Sequence, residues 1–129
     1  MNRDLNGTKR ETSVWFIEAK RFTEAWHDLQ LDAEDLIDLQ NTIMADPLRN
    51  PVVAGTGGLR KVRFAAPSMR QGKRGALRVC YAYFERLSAI VLVLVYRKNE
   101  KDDLLPAEKT MIRKFLKAIE QELEKRLAP

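Results

Sequence analysis

The longest apolar run in this sequence is 89-AIVLVLVY-96. It is far too short to cross a bilayer as a helix, which requires about 20 apolar residues. A strand with one solvated face would alternate apolar and polar residues, whereas this run is apolar at nearly every position. It therefore predicts a strand near the middle of a sheet, with other elements covering both of its faces.

Three further segments have the composition of strands. Residues 12–17 and 76–84 are rich in β-branched and aromatic side chains, which is typical of strands. Residues 59–65 alternate, so that Lys61 and Arg63 face one side of the strand and apolar residues face the other. Because the last three of the four predicted strands follow one another closely in the chain, we expect them to form an antiparallel meander.

The helical spacing of apolar residues predicts three helices. Two of them, over residues 20–29 and 32–46, lie between the first and second predicted strands. The second ends before Pro47, since a residue that precedes proline is disfavoured in the α conformation. The third begins near Pro106 and carries one apolar stripe toward the end of the chain. The resulting order, β-α-α-β-β-β-α, predicts an α+β fold in which helices pack on a small, mostly antiparallel sheet.

The length of 129 residues is typical of one domain. We assign residues 12–129 to this domain. Residues 1–11 show no periodicity, so we expect them to form a mobile N-terminal tail.

Positive charge is concentrated in one segment. The chain carries 23 Lys and Arg against 18 Asp and Glu, a net charge of +5. Between Pro47 and Phe84 there is no acidic residue but there are eight Lys and Arg residues. Because a merely soluble surface usually intersperses both signs of charge, this segregation favours a polyanionic partner such as RNA.

The rare residue types exclude several kinds of site. His27 is the only histidine and Cys80 the only cysteine, which excludes paired-histidine acid and base catalysis, internal disulfides and metal sites built from several Cys or His ligands. Residues 55–58, GTGG, lack the Gly-Lys-Ser/Thr of a phosphate loop and precede a strand, so they predict a turn. We therefore expect no metal and no cofactor. With no signal-like or membrane-spanning stretch, we expect a cytoplasmic protein that does not contact a membrane.

The candidate site consists of cations on the predicted strands. Lys61 and Arg63 share one face, Arg78 lies on the next strand and Lys98 follows the last strand. Since adjacent strands lie about 4.8 Å apart, side chains from successive strands can converge on one phosphate. The alternative at this point is a basic patch that binds nucleic acid without acting on it.

Three motifs in this order resemble the RelE/HigB-type toxins of bacterial type II toxin-antitoxin systems. They are GTGGLRKVRF at 55–64, GKRG at 72–75 followed by RVCY at 78–81, and YRKNE at 96–100. The resemblance spans residues 13–127. It implies a RelE-like fold and a metal-independent, ribosome-dependent mRNA endoribonuclease (an mRNA interferase). The implied partners are a ribosome with its mRNA and a cognate helix-turn-helix antitoxin.

The resemblance also implies which residues act. The catalytic and phosphate-binding set falls on Lys61, Arg63, Arg78, Tyr96 and Lys98. The RNA contacts expected outside this set are Arg60, Arg70, Lys73 and Arg74. Some relatives have an arginine directly after the position of Lys98 and a tyrosine several residues later, where this chain has Asn99 and leucines.

Cleavage of RNA without a metal requires a proton acceptor for the ribose 2′-hydroxyl, charge neutralisation at the phosphate and a proton donor for the leaving oxygen. We expect Arg63 and Arg78 to hold the phosphate, because a guanidinium matches its oxygens and stays charged. Lys61 is the candidate base and Lys98 the candidate acid. Tyr96, or with less support Tyr81, is expected to orient the substrate.

Two other functions fit the same sequence. The ParE-like toxins share the implied fold but inhibit DNA gyrase by protein contact, without a catalytic set of cations. A passive RNA-binding or ribosome-binding module would use the same basic patch for affinity alone.

Overall fold

The computed structural model describes residues 5–9, 14–69, 76–100 and 103–127. Within these ranges the chain forms one sheet with α-helices on both faces. The strands are β1 (Leu5–Lys9), β2 (Trp15–Ala19), β3 (Leu59–Phe64), β4 (Leu77–Phe84) and β5 (Ala89–Arg97). The α-helices are α1 (Lys20–Asp28), α2 (Ala33–Ala45) and α3 (Pro106–Leu127). No helix in this part of the chain has the length and apolar composition needed to span a membrane.

The sheet has the strand order β1-β2-β5-β4-β3. Strand β5 lies at its centre, parallel to β2 and antiparallel to β4, and β3 pairs antiparallel with β4. The predicted central strand, the meander of the last three strands and the order β-α-α-β-β-β-α are therefore confirmed. The first predicted strand is present with its bounds shifted toward the C-terminus.

Strand β1 was not predicted. It pairs antiparallel with β2, from Leu5 opposite Ala19 to Lys9 opposite Trp15. The prediction of a tail without regular structure is therefore wrong for residues 5–9, while residues 1–4, 10 and 11 lie outside the described residues. Strand β1 joins the edge of the sheet through main-chain hydrogen bonds, which do not depend on side-chain type. Its sequence therefore carries no apolar alternation that would indicate a strand.

Helices α1 and α2 cover one face of the sheet. Trp26 of α1 stacks with Phe22 at a ring-centroid distance of 5.4 Å and with Phe64 of β3 at 6.4 Å. Such aromatic pairs contribute about 0.5–1.5 kcal/mol beyond the burial of their area. The contact of Trp26 with Phe64 joins α1 to the edge strand that carries Lys61 and Arg63.

Helix α3 covers the opposite face through the predicted apolar stripe. Its buried residues share one core cluster with Cys80 and Ala82 of β4 and with Val91 of β5. They are Ile112, Leu116, Ile119 and Leu123. The central strands are thus covered on both faces, as the apolar run 89–96 requires.

The predicted turn at Gly55–Gly58 fixes the start of β3. The buried Thr56 hydroxyl donates to the Val53 carbonyl at 2.6 Å and accepts from the Leu59 N–H at 3.1 Å. Arg113 of α3 donates to the Gly55 carbonyl at 2.8 Å. Gly57 has φ +75, in the left-handed region that favours glycine. The turn therefore ties β3 to α3.

A buried carboxylate holds the other end of β3. Asp35 of α2 forms a capping box with Asp32 and accepts hydrogen bonds from the Ser68 N–H at 3.0 Å and the Ser68 hydroxyl at 2.6 Å. Ser68 lies in the 3-10 turn Pro67–Met69, just after β3. Burial raises the pKa of Asp35, but the hydrogen bonds from Ser68 and Asp32 outweigh this effect and leave it below the usual value.

Asp35→Asn should lower the free energy of unfolding by about 1–3 kcal/mol at pH 7, measured by urea denaturation, because it places an amide donor against groups that donate. Since the folded pKa of Asp35 is lowered, its ionised form contributes stability above the unfolded pKa of roughly 4 and loses it as the pH falls through the folded value. The difference between Asp35→Asn and the unaltered protein should therefore shrink below pH 4.

The matched control is Glu34→Gln, which removes an exposed carboxylate from the same helical turn. It loses only a favourable interaction with the helix dipole, about 0.3–1 kcal/mol. Equal stability of Asp35→Asn and the unaltered protein at pH 7 would contradict this account.

Candidate functional site

Three predicted site residues lie in one row across the sheet. Arg63 of β3 pairs with Arg78 of β4, and Arg78 pairs with Tyr96 of β5. Paired residues in a sheet project to the same face, with strands about 4.8 Å apart. Lys61, two residues before Arg63, faces the same side. We call Lys61, Arg63, Arg78 and Tyr96 the sheet-end cluster.

The cluster lies at the end of the sheet that α3 leaves open. Along this face of β3, Leu59 is fully buried, Lys61 is half-buried and Arg63 is exposed. Along β4, Cys80 is fully buried and Arg78 is half-buried. Because α3 covers only one end of this face, the charged side chains at the other end have access to solvent and to a ligand.

A β-bulge in the central strand places Tyr96 in this row. Cys80 pairs with Leu94 but Tyr81 pairs with Leu92, so Val93 is an extra residue in β5. A regular strand that faces Val91 toward α3 would face position 96 toward α1 and α2. The extra residue reverses this alternation, and bulges commonly re-aim side chains in this way next to functional sites.

The two arginines form an electrostatically unfavourable pair. Like charges at directly opposite positions destabilise a sheet, and neither Arg63 nor Arg78 takes part in the ion pairs found within the described residues. Nη1 of Arg78 is buried without a hydrogen-bond partner there. A bound anion would relieve both effects, because guanidinium groups donate paired hydrogen bonds to phosphate oxygens.

Tyr96 contributes a neutral hydrogen-bond donor. Its Oη atom is buried and has no hydrogen-bond partner among the described residues. Burial raises the pKa of Tyr96 well above its usual value, and the neighbouring Cys80 raises it further. The phenol therefore stays protonated at physiological pH, so that it can donate a hydrogen bond but does not act as a base.

Lys61 has an acidic neighbour that the sequence analysis missed. Its Nζ atom lies 3.7 Å from Oδ1 of Asp103, in the connection between β5 and α3. The Asp103 side chain is 89% exposed and that of Lys61 is 28% exposed. The topology could have indicated this contact, because a connection from the open end of β5 to α3 has to pass beside the face that carries Lys61.

Lys98 lies at the margin of the cluster. It is the first residue of the 3-10 turn Lys98–Glu100, two residues after Tyr96, and its side chain is exposed. The neighbouring Arg97 forms a loose ion pair with Glu100 at 4.0 Å. The structure therefore places Lys98 beside the sheet-end cluster, without a contact to it among the described interactions.

Arg60 and Tyr81 stand apart from the cluster. Arg60 faces the α2 side of β3 and donates to the carbonyls of Leu48 at 3.1 Å and Asn50 at 2.6 Å. The hydroxyl of Tyr81, also on that face, donates to the Pro47 carbonyl at 2.7 Å and accepts from the Asn50 amide at 3.2 Å. Both side chains brace the loop after α2. The structure does not bring Arg60 to the sheet-end cluster, and the other predicted RNA contacts, Arg70, Lys73 and Arg74, lie outside the described residues.

No protein-family model matches this chain. The described residues also contain no group of three or more His, Cys, Asp or Glu side chains placed to hold a metal ion. Functional assignment therefore depends on the motifs and on the geometry of the side chains.

The basic surface continues around the edge of the sheet. Arg49 and Arg63 line one open cleft of about 300 Å³ between α2 and β3, together with Thr42, Asp46 and Asn50. Arg49 is one of the eight cations between Pro47 and Phe84, but its sequence position alone did not indicate that it lies near the site. The cleft extends the positive surface from the row toward the loop after α2.

Sulfate should stabilise the protein through the arginine pair. At matched ionic strength, sulfate about tenfold above its Kd should raise Tm by roughly 3–6 °C relative to chloride, because the anion binds the folded state. Thermal unfolding followed by circular dichroism measures this shift, and Arg78→Gln should abolish most of it.

Arg86→Gln is the matched control for Arg78→Gln. Arg86 follows the opposite end of β4 and pairs with Glu124 of α3, so this variant loses the same charge at a distance from the cluster. Equal sulfate shifts in Arg78→Gln and in the unaltered protein would show that the arginine pair does not bind the anion.

Proposed function

We propose that this protein is a metal-independent endoribonuclease that cleaves mRNA on the ribosome, acting as the toxin of a type II toxin-antitoxin pair similar to RelE and HigB. The observation that carries the proposal is the row of Arg63, Arg78 and Tyr96, with Lys61 beside it, at the uncovered end of one sheet face. The three sequence motifs that resemble this group of toxins supply the same residues.

The arginine pair suits the charge that develops during RNA cleavage. When a ribose 2′-oxygen attacks the adjacent phosphorus, the phosphate oxygens gain negative charge in the transition state. Arg63 and Arg78 lie opposite each other on adjacent strands and supply two planar donors for these oxygens. The strand pairing fixes the backbone positions of both residues, which limits the reorganisation needed during the reaction.

Tyr96 and Lys98 supply the remaining donors. The buried phenol of Tyr96 lies next to Arg78 in the row and donates a hydrogen bond to a phosphate oxygen. The exposed Lys98, just beyond the end of β5, protonates the 5′-oxygen as it leaves. Lys61, which the sequence analysis assigned as the base, is paired with Asp103 and acts as a further positive charge.

The open shape of the site supports a dependence on the ribosome. Arg63 and Lys98 are exposed to solvent. Such a surface leaves the bound RNA strand free to adopt many conformations, whereas catalysis needs the 2′-oxygen, phosphorus and leaving oxygen in line. A ribosome holds mRNA in a fixed conformation and supplies this alignment. In this proposal the protein works in the cytoplasm, and a helix-turn-helix antitoxin blocks it.

The geometry favours a nuclease over the two rival functions. A passive RNA binder needs only exposed Lys and Arg side chains. The cluster instead contains a half-buried arginine and a half-buried tyrosine, each with a buried polar atom that has no hydrogen-bond partner in the described part of the chain. Holding such groups in a sheet costs stability, and affinity alone does not require it. A ParE-like gyrase inhibitor would likewise have no use for an aligned pair of arginines.

Arg78→Ala should abolish RNA cleavage in cells. Induced expression of the unaltered protein should stop translation and produce new 5′ ends in ribosome-bound transcripts, mapped by sequencing. Arg78→Ala should reduce these ends by at least about 100-fold, because it removes a donor that stabilises the transition state. Arg86→Ala, with the same change in net charge at the other end of β4, should keep full activity.

Growth arrest with intact transcripts would contradict the nuclease proposal. Gyrase-linked DNA breaks under the same induction would support the ParE-like alternative. Unharmed growth, with RNA affinity that falls by a similar factor in Arg78→Ala and Arg86→Ala, would identify a passive binder.

A further inference from the structure

The carboxylate of Asp103 lies beside the lysine of the sheet-end cluster. Oδ1 of Asp103 lies 3.7 Å from Nζ of Lys61, and 89% of the Asp103 side chain is exposed. Its charge also acts on the phenol of Tyr96, on the central strand. Asp103 therefore lies beside Lys61, close enough for its charge to act on Tyr96, and its side chain is open to solvent.

A negative charge in this position opposes the binding of a phosphate. An acidic side chain beside a phosphate site repels the substrate, a cost that a role in the reaction would offset. RNA cleavage also requires a proton acceptor for the ribose 2′-hydroxyl, which the other members of the cluster do not supply. Arginine and a lysine ammonium are donors only, and Tyr96 is held as a neutral phenol. Asp103, the carboxylate in contact with Lys61, accepts a proton without first losing one.

We infer that Asp103 is the general base of the cleavage reaction, an assignment that rests on the proposed ribonuclease function. The ribose 2′-hydroxyl gives its proton to a carboxylate oxygen of Asp103 while the 2′-oxygen bonds to phosphorus. The bond from phosphorus to the 5′-oxygen breaks with its electron pair, and the 5′-oxygen takes a proton from Lys98. The products are a 2′,3′-cyclic phosphate and a 5′-hydroxyl, after which Asp103 releases its proton to water and Lys98 regains one.

Lys61 is then a positioning residue. It projects from β3 and is more buried than Asp103, whose carboxylate lies in a connection between elements. The ion pair holds the carboxylate beside Lys61 and partly offsets its repulsion of the phosphate. Lys61→Arg should preserve this orientation, whereas Lys61→Met should not.

The test is single-turnover cleavage of a defined mRNA on programmed ribosomes, with the toxin in saturating excess. Asp103→Asn should cut the first-order rate by at least about 100-fold, within the range typical for loss of a general base. The concentration of toxin that gives half of the maximal cleavage rate should change by less than about threefold in this variant. Because Asp103 is highly exposed, the variant should keep its Tm.

Two further variants separate a base from a merely nearby charge. Glu100→Gln removes an exposed carboxylate from the same connection, one that faces Arg97 instead of Lys61, and should cleave within about threefold of the unaltered rate. Asp103→Ala should regain activity when formate is added, because the small carboxylate replaces the missing proton acceptor. A side chain with only a structural role would not show this rescue.

The outcomes are distinct. Full or faster cleavage by Asp103→Asn with tighter binding, or no rescue of Asp103→Ala by formate, would mean that Asp103 only competes with the phosphate and would overturn the assignment. If the unaltered protein leaves the ribosome-bound message intact, the proposed ribonuclease function fails, and the role of Asp103 fails with it.

Discussion

The alignment of side chains at the candidate site depends first on the pairing of β4 with both of its neighbours. Arg78 meets Arg63 on one side and Tyr96 on the other because β4 holds a fixed register with β3 and β5. A slip of one residue would turn every side chain of a strand to the other face. The register is specified by burial on both faces, with Leu77 and Val79 under α1 and α2 and with Cys80 and Ala82 under α3.

The bulge in β5 adds a second constraint of the same kind. The extra Val93 lets the strand bury Val91 on the α3 side and still present Tyr96 there, five residues later. Without the bulge, Lys61, Arg63 and Arg78 would lie on this face without Tyr96, and the phenol would face the α1 and α2 side. The position of one residue in the central strand thus decides whether a neutral donor accompanies the cations.

Local sequence patterns predicted most of the fold but only part of this site. Alternation put Lys61 and Arg63 on one face, and the apolar run 89–96 indicated the central strand, because both signals depend on neighbours in sequence. The strand over residues 5–9, the bulge at Val93 and the contact of Lys61 with Asp103 depend on register and on the path of a connection. No local pattern reports these features, especially within a run that is apolar on both faces.

Hydrogen bonding separates structural from functional groups that look alike in the sequence. Arg60 and Arg78 are both strand arginines, and Tyr81 and Tyr96 are both strand tyrosines. Arg60 and Tyr81 satisfy their polar groups on main-chain carbonyls, which is the usual state of buried polar atoms. Arg78 and Tyr96 each keep a buried polar atom without a partner among the described residues. Because such atoms cost stability in the free protein, their alignment in one row is best explained by a ligand whose oxygen atoms complete the hydrogen bonds.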